Sequence, residues 1–299
     1  MSYPLPERTH LVQKAIDFEK LSKKTQAGLL TEQGELGVKR FSYQRKYDGC
    51  SVIIIIEITG VYFFSRDGRE VKSLGHLYNG LSRLPHGVYF AEAWRPNAEH
   101  RIINGEFRRQ YVQPQLELRF FDRVTLGAFI AGHSPHPYRD RRDWLIQDLY
   151  NFTASYPALL IAHNAYPWEA AELAAHGTDA YDGLVAWDND APWTAGAGKD
   201  GQCIKRKNIV DLDLEVVEVY EGEGKHEGRL GAIGVRFGAG VVLRVGTGFS
   251  DLEREAWWRD PLDIKGRIVR VVGMKDSGKG SIREPRFKGI RWDKTEADA

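Results

Sequence analysis

Cysteine is nearly absent from this chain. Cys50 and Cys203 are the only two among 299 residues, and neither sits in a C-x-x-C pair. That count argues against a disulfide framework and against a cysteine-based zinc site. The one loosely metal-like spacing, His133-Ser134-Pro135-His136, lies in a Gly/Pro-rich loop without acidic or cysteine partners and reads as surface. Long apolar runs are missing as well. No stretch reaches the roughly 18 apolar residues of a transmembrane helix, so no membrane association is expected. The residues Met1 to Arg8 lack the apolar core of a secretory signal, which points to a cytoplasmic setting, a host's cytoplasm if the gene is viral.

An excess of charge of one sign is also lacking, since 42 Lys and Arg face 41 Asp and Glu. Taken alone, that balance speaks against a surface that tracks phosphates. The distribution speaks for one, because residues 259–294 hold eleven Lys and Arg against five Asp and Glu.

What is present is a chain long enough for one large domain and one small one. Apolar spacing over residues 9–30 (Leu11, Ala15, Phe18, Leu21) predicts a helix. Strands are predicted at 41–47, 51–58, 61–65, 87–93 and 116–122, separated by Gly- and Asp-bearing turns. Helices are predicted at Arg139–Thr153 and Pro167–His176, followed by a strand at Leu184–Trp187 and a loop over 195–202. A boundary is placed near Asn208–Asp213. Beyond it the pattern is all β, with strands at 214–220, 230–237, 240–245 and 265–274 and a helix at Asp251–Trp258, which suits a small closed barrel of the OB type.

Lys46-Tyr47-Asp48-Gly49 carries the most chemistry. A lysine amine is a covalent nucleophile only when something holds it neutral, and a turn beside a buried strand can do so. Further segments follow in order: Ser65-Arg66-Asp67-Gly68, Glu92, Phe121-Asp122, Asp182-Gly183-Leu184-Val185, Lys205-Arg206-Lys207 and Arg291-Trp292-Asp293-Lys294. One tempting segment is rejected. Gly273 to Lys279 matches the start of a P-loop, but Gly280 stands where Ser or Thr should hold Mg²⁺, and Gly280 and Pro285 break the helix that should follow. It reads as a hairpin between barrel strands.

The ordered set resembles the nucleotidyltransferase motifs of ATP-dependent DNA ligases, closest to the small two-domain kind of bacteriophages. The resemblance implies an α+β nucleotidyltransferase (adenylation) domain with antiparallel sheets over residues 1–208, then an all-β OB-fold domain over 209–299. It implies ATP and Mg²⁺ as cofactors, nicked double-stranded DNA as partner, and a monomer.

Residue by residue, the resemblance makes Lys46 the nucleophile and Asp48 a contact to ribose or the 3′-hydroxyl end and a metal ligand. Arg66 would hold the AMP or nick phosphate. Glu92 and Asp182 would bind metal, Phe121 would stack on adenine, and Gln44 would bond the adenine edge. Lys205 and Lys207 would stabilise charge on the α-phosphate and favour neutral Lys46. Arg291 and Lys294 would orient the pyrophosphate leaving group, with a hinge near Asn208–Asp213. Val245-Gly246-Thr247-Gly248-Phe249 and Arg283-Glu284-Pro285-Arg286-Phe287 resemble ligase barrel segments.

The departures are Ser51 for an arginine, Ala91 for a glycine, Asp182 for a glutamate, Trp187 for a lysine and Gln44 for a glutamate. Rival readings are an RNA ligase, a capping-type guanylyltransferase, and a catalytically inactive nucleic-acid-binding relative. NAD⁺ use is disfavoured.

Overall fold

The run Val52-Ile53-Ile54-Ile55-Ile56 is β-branched throughout, which stiffens each side chain and favours a pleated surface. In a computed structural model of the chain these residues lie at the centre of a strand and are all but fully buried on both faces. Each such side chain contributes roughly 1.5–3 kcal/mol by leaving water. The structure describes residues 3–24, 26, 40–150, 155–161, 181–197, 202–207, 209–238, 240–275 and 281–298. They divide into two compact units, Met1–Lys207 and Asn208–Ala299.

The first unit contains strands β1 (Phe41–Tyr47), β2 (Cys50–Glu57), β3 (Gly60–Ser65), β4 (Gly87–Trp94), β5 (Glu117–Val124), β6 (Leu159–Ile161), β7 (Tyr181–Asp188) and β8 (Cys203–Arg206). Its described helices include α1 (Tyr78–Leu81), α2 (His100–Phe107), α3 (Leu126–Ala131) and α4 (Tyr138–Tyr150). One sheet has the order β3-β2-β4-β5-β6 and is antiparallel except at its β5–β6 edge. Val52, Ile54 and Ile56 face a core that includes Leu81, Ile103, Leu145 and Leu149. Ile53 and Ile55 face a second core with Phe64, Phe90, Phe129 and Trp193. The other sheet has the order Ile16–Asp17, β8, β7, β1.

The helix expected over 9–30 does not form over residues 9–22; beyond them the described Lys23, Lys24 and Gln26 are helical. Among the described residues of that stretch, Gln13–Lys14 and Ile16–Asp17 are short strands and Phe18–Lys20 is a 3-10 turn. The apolar spacing misled because its residues serve two cores. Leu11 packs with Ile53 and Phe90, whereas Phe18 packs with Phe41, Tyr43 and Ile204. Helix Pro167–His176 and residues 151–153 lie outside the described residues, as does part of the 195–202 loop. No described helix is long and apolar enough to cross a membrane.

The second unit is a five-stranded sheet, β11-β10-β9-β12-β13, built from β9 (Ile209–Glu221), β10 (Leu230–Phe237), β11 (Val241–Val245), β12 (Ile268–Lys275) and β13 (Ile282–Ile290). β12 and β13 pair antiparallel on either side of the rejected P-loop segment, whose residues 276–280 are outside the described set. Helix α5 (Asp251–Arg259) lies between β11 and β12, started by a capping box in which Ser250 and Glu253 exchange hydrogen bonds.

The sheet curls shut where Thr247 bridges to Arg286 and the Phe287 N–H donates to the Thr247 carbonyl at 2.9 Å. Gly248 permits this: its φ is +102°, and a methyl group there would lie 2.2 Å from the Phe287 carbonyl oxygen. Phe249 then stacks on Phe287, with ring centroids 4.9 Å apart. Arg254, buried beneath, donates to the carbonyls of Leu230, Gly231 and Gly246. The Gly-Thr-Gly-Phe segment therefore closes the barrel.

Candidate active site

Strand alternation puts Gln44 and Lys46 of β1 on one face of the small sheet, opposite the packed side chains of Phe41 and Tyr43. Register continues that face across the sheet. Gln44 lies beside Val185 of β7, and Val185 lies beside Lys205 of β8. Lys205 forms an ion pair with Asp17 at 3.4 Å, in the adjoining short strand. Asp17 carries no sequence signal of its own; only the parallel pairing with β8 brings it to the lysine. Gly183, at a bulge in β7 with φ +115°, sits so tightly against β8 that a methyl group would meet the Arg206 carbonyl oxygen at 2.0 Å and Lys207 Cα at 2.8 Å. The glycine of Asp182-Gly183 thus brings that segment against Lys207. The Asp182 side chain lies outside the described set.

The Asp48-Gly49 turn docks on the larger sheet. A methyl group on Gly49 would lie 2.3 Å from the Ala93 carbonyl oxygen and 2.9 Å from Glu92 Cγ. Asp48 and Glu92, both half-buried, therefore flank one turn two residues beyond Lys46. Ser51 lies directly across the strands from Glu92, and Glu92 lies across from Arg119. Burial, with Glu92 and Asp48 nearby, pushes the Cys50 thiol up to about 12, so it stays protonated and is no rival nucleophile. Arg66 stands at a different kind of place. Its side chain is exposed at the tip of the turn after β3, 3.7 Å from Asp67.

Phe121 is the extra residue of a β-bulge, because Phe90 pairs with Asp122 while the next residue, Ala91, pairs with Phe120. Phe120 is fully buried in the first core, and Phe121 is turned out, half-buried, against Trp187 with ring centroids 5.9 Å apart. Trp187 stacks in turn on Tyr138, 4.7 Å away and nearly parallel.

Trp187 Nε1 donates to Gln44 Oε1 at 3.0 Å, Gln44 Nε2 donates to the Tyr138 hydroxyl at 2.7 Å, and that hydroxyl donates to the Phe121 carbonyl at 2.9 Å. Tyr138 has one proton to give, and burial holds its pKa up, so the amide orientation of Gln44 is fixed by this chain. Gln44 is 4% exposed, and both ends of its amide are bonded into the aromatic stack. Nothing local in sequence marks Tyr138, an aromatic residue in a helix's first turn, as the partner of strands on two sheets.

Trp187 occupies the place of a family lysine and is 5% exposed. Trp187→Lys should therefore not restore a phosphate contact. It should cost about 3–5 kcal/mol by leaving a cavity and an unpaired buried charge, read as a lower melting temperature.

Among the described residues no group of three or more His, Cys, Asp or Glu side chains is arranged to hold a metal ion. Mg²⁺ does not demand one, since it keeps several waters and takes one or two carboxylates plus substrate phosphates. Asp48, in the turn, and Glu92, on β4 against it, suit that requirement.

In the second unit, Arg291 donates through Nε and NH2 to both Asp293 oxygens, at 2.9 and 2.8 Å. Both Arg291 and Lys294 also reach Asp213, which is buried on β9. The basic excess of 259–294 is partly neutralised in place, as Arg270 is held by Asp211 as well.

Residues 221–291 match the family model of the DNA ligase OB-like domain. The chain is 32% identical to a DNA ligase of Halorubrum lacusprofundi over 59% of its own length and 34% of that protein. It is 29% identical to a DNA ligase of Natronomonas pharaonis over 86% of its length and 52% of the relative. The chain thus spans about a third to a half of these curated relatives.

Among solved structures, a Lig E DNA ligase aligns over 84% of this chain and 93% of its own, with a TM-score of 0.63 at 18% identity. The ATP-dependent DNA ligase of bacteriophage T7, in complex with ATP, aligns over 94% and 98%, with a TM-score of 0.56 at 15% identity. These two show a shared fold of nucleotidyltransferase and OB domains. The second unit is thus similar to the ligase OB-like domain, the curated relatives the chain resembles are DNA ligases, and the fold is one shared with DNA ligase structures.

Proposed function

We propose that this chain seals nicks in duplex DNA through a covalent lysyl-AMP intermediate, acting as a monomer. Lys46 Nζ attacks the α-phosphorus of ATP, a P–N bond forms and pyrophosphate leaves. AMP then passes from Lys46 to the 5′-phosphate of the nick. The 3′-hydroxyl finally attacks that phosphorus, forming the phosphodiester and releasing AMP. Such transfers depend on positioning and on cations aimed at phosphate oxygens.

The observation that carries this reading is the common face of Lys46, Val185 and Lys205, with Asp48 and Glu92 flanking the next turn. Lys205, steadied by Asp17, and Lys207 are the cations for the α-phosphate. Phe121 is the stacking surface for adenine. Mg²⁺, held by Asp48 and Glu92 with Asp182 as a further candidate, would neutralise charge on the phosphates. Arg291 and Lys294 are assigned to the leaving group.

The test is a comparison of substrates with the purified chain, Mg²⁺ and either ATP or GTP. Sealing of nicked DNA with ATP supports the proposal; sealing confined to nicked RNA, or adduct formation with GTP alone, would replace it with one of its rivals.

Binding to nicked DNA should also weaken steeply as salt rises, with a slope of about −0.9 in log K against log salt for each phosphate contact. Arg270, Arg291 and Lys294 are already occupied by carboxylates, so Lys265, Arg267 and Lys288 are better placed to supply those contacts. An affinity flat across a salt titration would show that the basic segment does not meet the backbone.

A further inference from the structure

Three carboxylates surround the two cations of Arg291-Trp292-Asp293-Lys294, and they are not equivalent. Asp213 is 4% exposed on β9, where its backbone pairs with Arg270 of β12 and holds it in place. Its Oδ2 takes both Arg291 NH1 and Lys294 Nζ, each at 2.5 Å, while its Oδ1 is buried without a hydrogen-bond partner among the described residues. One fixed oxygen therefore sets the separation of a guanidinium and an ammonium that would otherwise repel each other.

Asp298 is held differently. It lies past the last strand, about a third of its side chain is exposed, and it accepts from Lys294 Nζ at 3.1 Å. Its Oδ2 also accepts the Asp213 N–H, and its own N–H donates to the Asp213 carbonyl, both at 2.7 Å. Those bonds hold its carboxyl below the usual range, the Asp213 N–H first and Lys294 second, so it stays charged near neutral pH. With Asp293 counted, two cations face three anions. A phosphate approaching this cluster meets net negative charge until one carboxylate withdraws; of the two that lie outside a strand or helix, Asp293 takes two bonds from Arg291, whereas Asp298 holds its cation by a single bond of 3.1 Å.

We propose that Asp213 is the positioning residue that fixes Arg291 and Lys294 as a phosphate-binding pair, and that Asp298 is a competing counter-ion which the pyrophosphate group of ATP displaces. This rests on the assignment of Arg291 and Lys294 to the leaving group. It makes the two carboxylates opposite in effect, which a purely structural role would not. Asp298→Asn keeps an acceptor for the Asp213 N–H but removes the charge. Asp213→Asn keeps the shape but removes the anchor.

The experiment measures lysyl-AMP formation against ATP concentration by intact mass, and closure of pre-adenylylated nicked DNA without ATP. Asp213→Asn should slow adduct formation on the order of 100-fold, the scale of a lost oriented charge contact. Asp298→Asn should raise adduct formation at low ATP about threefold, as removal of an exposed ion pair allows. Both variants should close the pre-adenylylated nick at the wild-type rate. If Asp213→Asn does not fold, the sign of the Asp298→Asn effect decides alone. Wild type that acquires no AMP overturns the ligase reading itself. Wild type that does, with Asp298→Asn slower or unchanged, overturns this assignment only.

Discussion

Lys46→Ala should acquire no AMP at all while melting at the wild-type temperature. Wild type treated with ATP and Mg²⁺ should gain the mass of one AMP. Of its neighbours on that face, Gln44 is bonded to Trp187 and Tyr138, and Lys205 is held against Asp17. Lys46 is half-buried near the end of β1, so its truncation removes little packing, and a retained fold is part of the prediction. An adduct of undiminished yield on the variant would move the nucleophile elsewhere and dismantle the proposed chemistry.

The second large effect concerns stability. Asp122 and Arg141 are each 1% exposed and joined by two hydrogen bonds of 2.9 Å, Nε to Oδ1 and NH2 to Oδ2. Arg141 also donates to the carbonyls of His136 and Ala191, so it ties α4 to β5 and to the segment after β7. Asp122→Ala would strand the guanidinium in the interior with carbonyls alone. It should cost about 3–5 kcal/mol in urea unfolding of the chain, because breaking a buried pair leaves an uncompensated charge. A loss under about 1 kcal/mol would mean that the pair behaves as a surface ion pair open to water. Phe121-Asp122 reads in sequence as a ligand-binding motif, yet its two residues divide: the aromatic ring is turned out against Trp187, and the carboxylate pins the scaffold behind it.

That division shows where sequence stops being readable. The strands were legible because their signals are local, a β-branched run at Val52–Ile56 and Asp-Gly turns between alternating segments. The short helices α1, α2 and α3 were not. α2 buries only Ile103 and Phe107, too few apolar positions to set a period, and carries Asn104-Gly105 inside it. At the site, Lys46, Asp48 and Glu92 were legible as motif positions. The hydrogen-bonded chain from Trp187 through Gln44 and Tyr138 to Phe121 was not, since it exists only once β1, β5, β7 and α4 have packed. Nor was the neutralisation of Arg291 and Lys294, because Asp213 lies far away in sequence and only its place on β9 brings it near.

The seam that closes the barrel has a kinetic meaning. Thr247 and its partner Pro285 are 38 residues apart, whereas β10 with β11 and β12 with β13 are pairings of sequence neighbours. Local pairings form before the chain entropy of a long loop is recovered, so the two hairpins precede the seam in folding. The contacts of Gly248 and Phe249 with Phe287 then belong to a later stage of assembly than those hairpins. Contacts made that late govern how fast a domain opens more than how fast it folds. The glycine that lets two backbones touch at the seam therefore acts on the lifetime of the closed barrel.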